Sequence, residues 1–568
     1  MACRNIVSIS STMQPQKHHT IKKQSPPERI STYKPNIWKY EHLLSLTSQY
    51  SEGKYKVEAE KLKEEVSCEF SKTSASSVST PVTLLELIDR IDKLGLASYF
   101  EVETKEALEK IIMYMKSSGA NYYSTSKDQH LYAIALCFRL LREHGYPASQ
   151  DMLKDLFDGK EKLASDMKTL LELLEGSYLS MDGENLLDDI RLFSTKNLND
   201  LSTSNVNRFT NNNKKVYLNN PLVWRVRWYD VRRHIDAQKV LDCNMLKLAK
   251  LNFNITQAAH QKDLKDVIRW WSNLCIVEDL NFTRDRIVES FFFAVGIASE
   301  PQHGSLRKWL TKVIQLVLII DDVYDIYGSL ADVQQFTRAL DKWDSKEVQQ
   351  LPECIQTCFR ALHDTTEEIS VEIQQQKGGP STLPHLKQTW VNFCKALLVE
   401  KMWCHKGHIP TLEEYLDNGW TSSSGPLLSI HVIFGLSNKI TNETLDLCKS
   451  CEEIIYHISV IIRLCNDHGT STAELERGDV ASSIICYMQE KNVSEDVARE
   501  HIEGIILNSW KKINYHFNIL PTSHQKIVKH VINEARMAHV MYHSGDGFGV
   551  QDGETQDQVL INLIEPII

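Results

Sequence analysis

PVTLLELIDRIDKLGL, residues 81–96, sets Val82, Leu85, Ile88, Leu94 and their neighbours at three- and four-residue spacing, one apolar stripe of an α-helix. Gly95 stands near its end as a helix stop. The same period recurs in YAIALCFRLLREH (132–144), closed by Gly145-Tyr146-Pro147, and in VLDCNMLKLA (240–249). Sustained two-residue alternation is almost absent, so the expected fold class is all-α. A solenoid is the structural rival, but no fixed-period repeat is visible.

A chain of 568 residues is too long for one ordinary domain. The polar stretch NLNDLSTSNVNRFTNNNKK (197–215) reads as a surface loop or disorder, and Trp224-Arg-Val-Arg-Trp228 then leads into a long helical second half. The expected division is a tail over 1–28, an N-terminal helical domain over 29–235 and a second domain over 236–568. The first 27 residues carry Arg4, Lys17, Lys22 and Lys23 but no acid, which fits either a short transit-like segment or a disordered tail.

A net charge of −10 and a pI near 6.1 exclude a nucleic-acid partner, which would need an excess of Lys and Arg. An anionic ligand must then be met locally, by metal ions or a small cationic cluster. The 13 cysteines are scattered without zinc-finger spacing and read as reduced thiols of an intracellular protein. No apolar run approaches the roughly 18 residues of a membrane span, so none is expected.

The strongest chemical signal is Leu318-Ile-Ile-Asp-Asp-Val-Tyr-Asp-Ile-Tyr-Gly328. Asp321 and Asp325 are four apart and share a helix face, with Asp322 alongside and an apolar helix directly upstream. Two carboxylates about 4 Å apart repel by roughly 4 kcal/mol at an effective dielectric near 20. A cation should offset that, and hard oxygen ligands favour Mg²⁺ or Mn²⁺. A second stripe lies in Ile461-Ile-Arg-Leu-Cys-Asn-Asp-His-Gly-Thr-Ser-Thr-Ala-Glu474, where Asn466, Thr470 and Glu474 fall at i, i+4 and i+8, again past an apolar run. Facing each other, the two rows would hold divalent ions whose coordination a diphosphate completes.

Cationic partners are at hand. Arg284 and Arg286 precede an aromatic helix, and Arg463 lies three residues before Asn466. The guanidinium fork suits phosphate oxygens and stays charged. Aromatic residues of the second half, among them Phe293, Tyr324, Trp403, Trp420, Tyr542 and Phe548, include candidates for lining a pocket. Ring faces stabilise a cation by about 2 kcal/mol or more when desolvated, and the same lining excludes water.

Asp-Asp-x-x-Asp at 321–325, Asn-Asp-x-x-Thr-x-x-x-Glu at 466–474, Arg-x-Arg with Arg286 35 residues before Asp321, and Arg29 followed by eight residues and Trp38 together resemble the plant class I terpene synthases. The resemblance runs from about Arg29 to the C-terminus. It implies an N-terminal relic α-barrel without chemistry of its own and a C-terminal bundle that ionises a prenyl diphosphate with three Mg²⁺. It also implies Asp321, Asp322, Asp325, Asn466, Thr470 and Glu474 as metal ligands. Arg284, Arg286, Arg463, Asp321, Asp325, Asn466 and Phe293 are implied at the substrate, and Asp321, Asp325, Arg284, Tyr542 and Asp546 in catalysis. No Asp-x-Asp-Asp occurs in the first half, so protonation-initiated cyclisation is not expected.

Three departures bear on product. The tandem Arg of many monoterpene synthases is here Glu28-Arg29, a common Trp is Phe293, and a common Tyr of the C-terminal loop is Phe548. All weaken the case for multi-ring cyclisation. TKVIQLVLIIDDVYDIYGS, HIPTLEEYL and GDGFG most resemble the branch containing (E,E)-α-farnesene synthases. The expected reaction is farnesyl diphosphate to an acyclic sesquiterpene, with geranyl diphosphate to ocimene or linalool as the alternative. The expected enzyme is a cytoplasmic monomer, with a plastid location as the other option. A chain-elongating prenyltransferase should carry a second Asp-Asp-x-x-Asp where this chain has Asn466 to Glu474, and a non-catalytic scaffold needs neither stripe.

Overall fold

The computed structural model describes residues 34–75, 81–118, 127–159, 163–203, 220–238, 243–274, 276, 283–477, 481–551 and 553–568. Residues 1–33, with Glu28 and Arg29, lie outside them. The described residues contain helices and no strand. The fold class read from the sequence holds.

The N-terminal half is built from α1 (Gly53–Ala75), α2 (Pro81–Lys93), α3 (Glu101–Ser118), α4 (Lys127–Glu143), α5 (Met167–Ser177) and α6 (Asn185–Thr203). α2 buries Val82, Leu85, Ile88 and Ile91, the stripe seen in the sequence. It stops where Gly95 turns left-handed at φ +70° and the Leu96 N–H closes back on the Ile91 carbonyl at 3.0 Å. α6 corrects one expectation: residues 197–203, read as loop, are helical. Leu198 is fully buried and packs with Leu170 and Leu174, with Leu201 against them, and Asn197 donates to the Phe193 carbonyl at 2.8 Å. Two apolar residues three apart outweigh the polar neighbours; 204–219 lie outside the described residues. Arg139 absorbs the acids inside this half, pairing with Glu143 at 3.1 Å and Glu172 at 2.6 Å.

α7 (Arg227–Ala237) lies at the junction. Just before it, Trp224 stacks on Trp510 and His539 at 5.7 and 5.1 Å, and Trp228 stacks on Phe253 at 4.8 Å. The Trp-rich segment thus docks one half on the other. The second half comprises α8 (Asn244–Asn273), α9 (Ile287–Ile297), α10 (Gly304–Asp322), α11 (Leu330–Lys342), α12 (Glu353–Lys377), α13 (Leu383–Lys406), α14 (Leu412–Ser422), α15 (Gly425–Leu436), α16 (Glu452–Arg477), α17 (Glu495–Ile519) and α18 (Thr522–Tyr542), joined by shorter helices. Every residue of α9 is buried, the mark of a helix inside a bundle rather than on its surface. α10 and α18 pack on α9, and α16 packs on α17 and α18.

Candidate active site

α10 delivers the first acidic row. Its α-helical path ends at Asp322, and 323–327 continue as one π-turn closed by the Gly328 N–H on the Val323 carbonyl at 2.8 Å. Such wider turns are rare and cluster at functional sites. Asp321 is half-buried and Asp325 exposed, while Asp322, Val323 and Tyr324 between them are buried. The two outer carboxylates therefore share the open face.

Asp322 does not. Its side chain is 1 % exposed and faces Arg284: Oδ2 accepts the Arg284 backbone N–H at 2.9 Å and Nε at 3.3 Å, and Oδ1 lies 3.0 Å from Nη2. Expected as a metal ligand, it is placed instead to hold the guanidinium. Burial is the main influence on its pKa, with Asp321 adding to it and Arg284 opposing, and the result is about 6. Arg284 also donates from Nη2 to Asp321 at 2.7 Å, and its carbonyl accepts from Gln315 at 2.8 Å. It is thus fixed at the lip of the acidic row.

Arg286 is spent differently. Its Nε donates to the Phe548 carbonyl at 2.8 Å, Nη1 to the Asp285 carbonyl at 2.8 Å and Nη2 to the Lys34 carbonyl at 3.2 Å. Expected at the diphosphate, it clasps the N-terminal segment to the C-terminal loop. Trp38 Nε1 and Gln551 Nε2 both donate to Glu289 Oε1 at 2.7 Å, and Gln551 Oε1 accepts the Ile37 N–H at 3.0 Å. Asp285 collects Tyr40 and Trp271 on one oxygen and Asn36 on the other. The sequence reading missed this clasp, although Trp38 belongs to a motif it singled out.

α16 carries the second row. Asn466 is half-buried and Thr470 buried, its hydroxyl donating to the Asn466 carbonyl at 2.9 Å. Glu474 lies on the same helix; its side chain falls outside the described residues. Gly469 brings the helix against the C-terminal loop, for a Cβ there would stand 3.0 Å from the Gly545 carbonyl and 3.1 Å from that of Tyr542. Tyr542 joins the rows. It lies within electrostatic reach of Asn466, Asp546, Arg284 and Asp321, and burial first and the two acids second push its phenol well above the ordinary range. It stays protonated at neutral pH. Asp546 Oδ1 accepts the Phe548 N–H at 3.0 Å and so shapes the loop.

Arg463 approaches from the same helix. Its Nη2 donates to Ser422 at 2.7 Å and to Glu400 at 3.3 Å. Burial works against its charge, yet Glu400, Tyr415, Asp467 and Asp321 hold it above its usual value. Asp467 is buried, accepting Tyr415 Oη and the Ser483 N–H at 2.9 Å each. Glu400, raised mainly by burial, also feels Asp321. Glu400 and Tyr415 stand on α13 and α14, outside both oxygen-ligand stripes.

Phe293 is buried beneath the loop, 6.1 Å from the Phe548 ring, which lies 6.4 Å from Tyr542. Phe292, its neighbour, stacks on Tyr229 of the other half at 4.4 Å. A cavity of about 460 Å³ at the junction, lined by Arg225, Tyr229, Phe292, His539 and Gly545, contains neither acidic row.

The side chains that Tyr542 and Arg463 couple electrostatically are oxygen donors and guanidinium groups carried by the lead into α9 and by α10, α16 and α18. Asp321, Asp325, Asn466 and Thr470 offer only oxygen, a set that suits a hard dication such as Mg²⁺.

The chain matches the terpene synthase N-terminal domain over residues 37–217 and the metal-binding domain of the terpene synthase family over 272–512. It is 46% identical over 549 residues to "Alpha-farnesene synthase" of Ricinus communis, covering 95% of both chains. The chain belongs to the terpene synthase family. It is therefore a lyase acting on a prenyl diphosphate. It is also 45% identical to "(E,E)-alpha-farnesene synthase" of Malus domestica, over 95% of this chain and 94% of that one, and 38% identical to "Myrcene synthase, chloroplastic" of Quercus ilex, over 95% and 90%. Among solved structures it resembles limonene synthase with 2-fluorolinalyl diphosphate, at a TM-score of 0.88 and 36% identity over 95% of this chain and 100% of that one. It likewise resembles the isoprene synthase of Populus x canescens in complex with three Mg²⁺ and dimethylallyl-S-thiolodiphosphate, at 0.82 and 35% over 94% and 99%. No helix among the described residues is long and apolar enough to cross a membrane.

Proposed function

We propose that this terpene synthase ionises farnesyl diphosphate and releases an acyclic sesquiterpene, (E,E)-α-farnesene. The observation that supports the site is Tyr542, a buried phenol within electrostatic reach of Asn466, Asp321 and Arg284 together. On this reading the two rows, at Asp321 and Asn466, 145 residues apart in sequence, border one site. The product rests on the likeness to two farnesene synthases at 45–46% identity along nearly the whole chain. Phe293 and Phe548 at positions where many cyclising members carry Trp and Tyr support it.

In this reading residues 29–235 form the helical domain without its own chemistry and 236–568 the catalytic domain. Asp321, Asp325, Asn466, Thr470 and Glu474 would hold Mg²⁺, which when bound neutralises the leaving diphosphate. Asp322 keeps Arg284 aimed across the metal-binding face, and Arg284 and Arg463 bind diphosphate oxygens. Arg286 keeps the loop around Phe548 closed. The C1–O bond breaks heterolytically, and its electron pair leaves with diphosphate. Phe293, Phe548 and the protonated Tyr542 face the allylic cation and exclude water, which would trap it as an alcohol. Loss of the C4 proton to the released diphosphate then leaves a conjugated diene without ring closure. The reading takes the enzyme as a cytosolic monomer.

The second reading uses geranyl diphosphate and gives an acyclic monoterpene, supported by the 38% identity to a myrcene synthase. Incubation with each diphosphate and Mg²⁺, followed by gas chromatography–mass spectrometry, separates the two. The proposal expects kcat/KM for farnesyl diphosphate at least tenfold above that for geranyl diphosphate, with farnesene dominant. A cyclic major product, or preference for the C10 substrate, overturns it.

A further inference from the structure

At the end of α9 opposite Arg286, the turn into α10 meets α18. Glu300 and His303 on the turn and His530 on α18 each direct a ligand atom into one spot, all within 4.8 Å of one another. His530 is 94 % buried, and its Nδ1 donates to the Ile297 carbonyl at 3.0 Å. A carbonyl can only accept, so the Nε2 lone pair points away from that bond. It faces Glu300 Oε1 at 3.9 Å, beyond hydrogen-bond reach. Glu300 Oε2 is buried and has no hydrogen-bond partner. The His303 and His530 rings stand edge to face, 5.5 Å between centroids.

We propose that Glu300, His303 and His530 form a second metal site, for a borderline transition dication such as Zn²⁺ and distinct from the Mg²⁺-binding rows. Two imidazoles and one carboxylate are a ligand set for Zn²⁺, Co²⁺ or Ni²⁺, whereas Mg²⁺ prefers oxygen alone. The Ile297 carbonyl fixes the His530 tautomer, as outer-shell acceptors do for metal-bound histidines. Ligand bonds of about 2.0–2.2 Å place tetrahedral ligand atoms about 3.4 Å apart, so the His530–Glu300 gap need close by only about half an ångström. The protonation states agree. Burial, despite Glu300, takes His303 down to about 4 and lowers His530, so both are neutral ligands at pH 7. Burial opposes the Glu300 charge, but His530 and the turn's own backbone hold its pKa below the ordinary range. Lys529, Lys377, Arg307 and Arg536 also face this cluster; Arg307 is offset by Asp263 at 2.7 Å.

Such an ion would pin the turn between α9 and α10 to α18, the helix that ends at Tyr542. From His530 to Tyr542 α18 rises about 18 Å, so the pin and the active-site loop sit on one rigid element. The site is also distant from Asp321, which lies about 26 Å along α10 from Gly304.

The test is equilibrium dialysis of the full, chelator-stripped chain against micromolar Zn²⁺ with millimolar Mg²⁺ present, read by elemental analysis and thermal melting. The variants are His303→Asn and Glu300→Gln. His303 is half-exposed, and Glu300→Gln keeps the backbone carbonyl that accepts from Arg307, so each is an independent arm. The expected result is one Zn²⁺ fewer in each variant, or at least tenfold weaker binding, and a Zn²⁺-dependent rise in melting temperature found only in wild type. Equal Zn²⁺ uptake and equal melting in all three chains would overturn the site and leave a packed Glu–His cluster.

Discussion

Asp322→Asn separates a residue that positions Arg284 from one that binds metal. The pair is buried, with side-chain exposures of 9 % and 1 %, and three contacts of 2.9, 3.0 and 3.3 Å join it. Removing one charge from a buried pair costs about 3–5 kcal/mol. Asparagine still offers one oxygen to the Arg284 N–H, so the loss falls near the lower end, about 3 kcal/mol. At about 2.1 cal/mol/K per residue, a catalytic domain of roughly 330 residues unfolds with about 0.7 kcal/mol/K, and the melting temperature drops by roughly 4 °C. Loss of a charge-assisted bond to Arg284, worth about 1.5–3 kcal/mol, lowers kcat/KM by about 10- to 100-fold. The Mg²⁺ concentration for half-maximal rate should move less than threefold, whereas Asp321→Asn should raise it more than tenfold. Calorimetry and Mg²⁺ titrations of turnover read all of this. Unchanged melting with a Mg²⁺ requirement raised as far as in Asp321→Asn would refute the positioning role and make Asp322 a ligand.

Trp38→Phe removes one of two hydrogen bonds to the buried Glu289, a loss of about 1.5–3 kcal/mol, and loosens the clasp over the opening. The alcohol fraction of the product should rise by gas chromatography, and an unchanged ratio would detach the clasp from water exclusion. Glu175, in the N-terminal half, is pushed from 4.5 to about 8 chiefly by burial, with Arg225 opposing. A raised carboxyl pKa stabilises the fold below pH 4.5, and that stability is lost as pH rises through about 8. At 1.36 kcal/mol per pH unit the loss reaches up to about 5 kcal/mol, so Glu175→Gln should melt above wild type at pH 8 and approach it at pH 5. Equal melting curves across that range would remove the Glu175 argument. Leu198→Ala should cost about 2–5 kcal/mol by chemical denaturation if 197–203 pack as helix, and a loss under 0.5 kcal/mol would return them to loop.

The sequence stated the helical plan plainly, because burial of one stripe per helix leaves a three- and four-residue rhythm, as in α2 and α10. The shared face of Asp321 and Asp325 was legible for the same reason. The inward turn of Asp322 was less so, though it lies four residues past the buried Leu318 and seven past the buried Gln315, one stripe on a helix. Arg286 could not be read, since its acceptors, the Lys34 and Phe548 carbonyls, are 252 and 262 residues away and only the folded chain gathers them. Glu400 and Tyr415 reach Arg463 and Asp467 from separate helices without any local pattern. The 197–215 stretch misled because composition counts polar residues, whereas Leu198 and Leu201 decide which face packs.

The most direct test of the site is anomalous diffraction from crystals grown with Mn²⁺ and an unreactive thiolo analogue of farnesyl diphosphate. Manganese peaks between Asp321 on α10 with Asp325 on the turn after it and Asn466/Thr470 on α16, bridged by the diphosphate and absent at Asp322, are the predicted result. Manganese confined to one helix, with the diphosphate bound elsewhere, would contradict it.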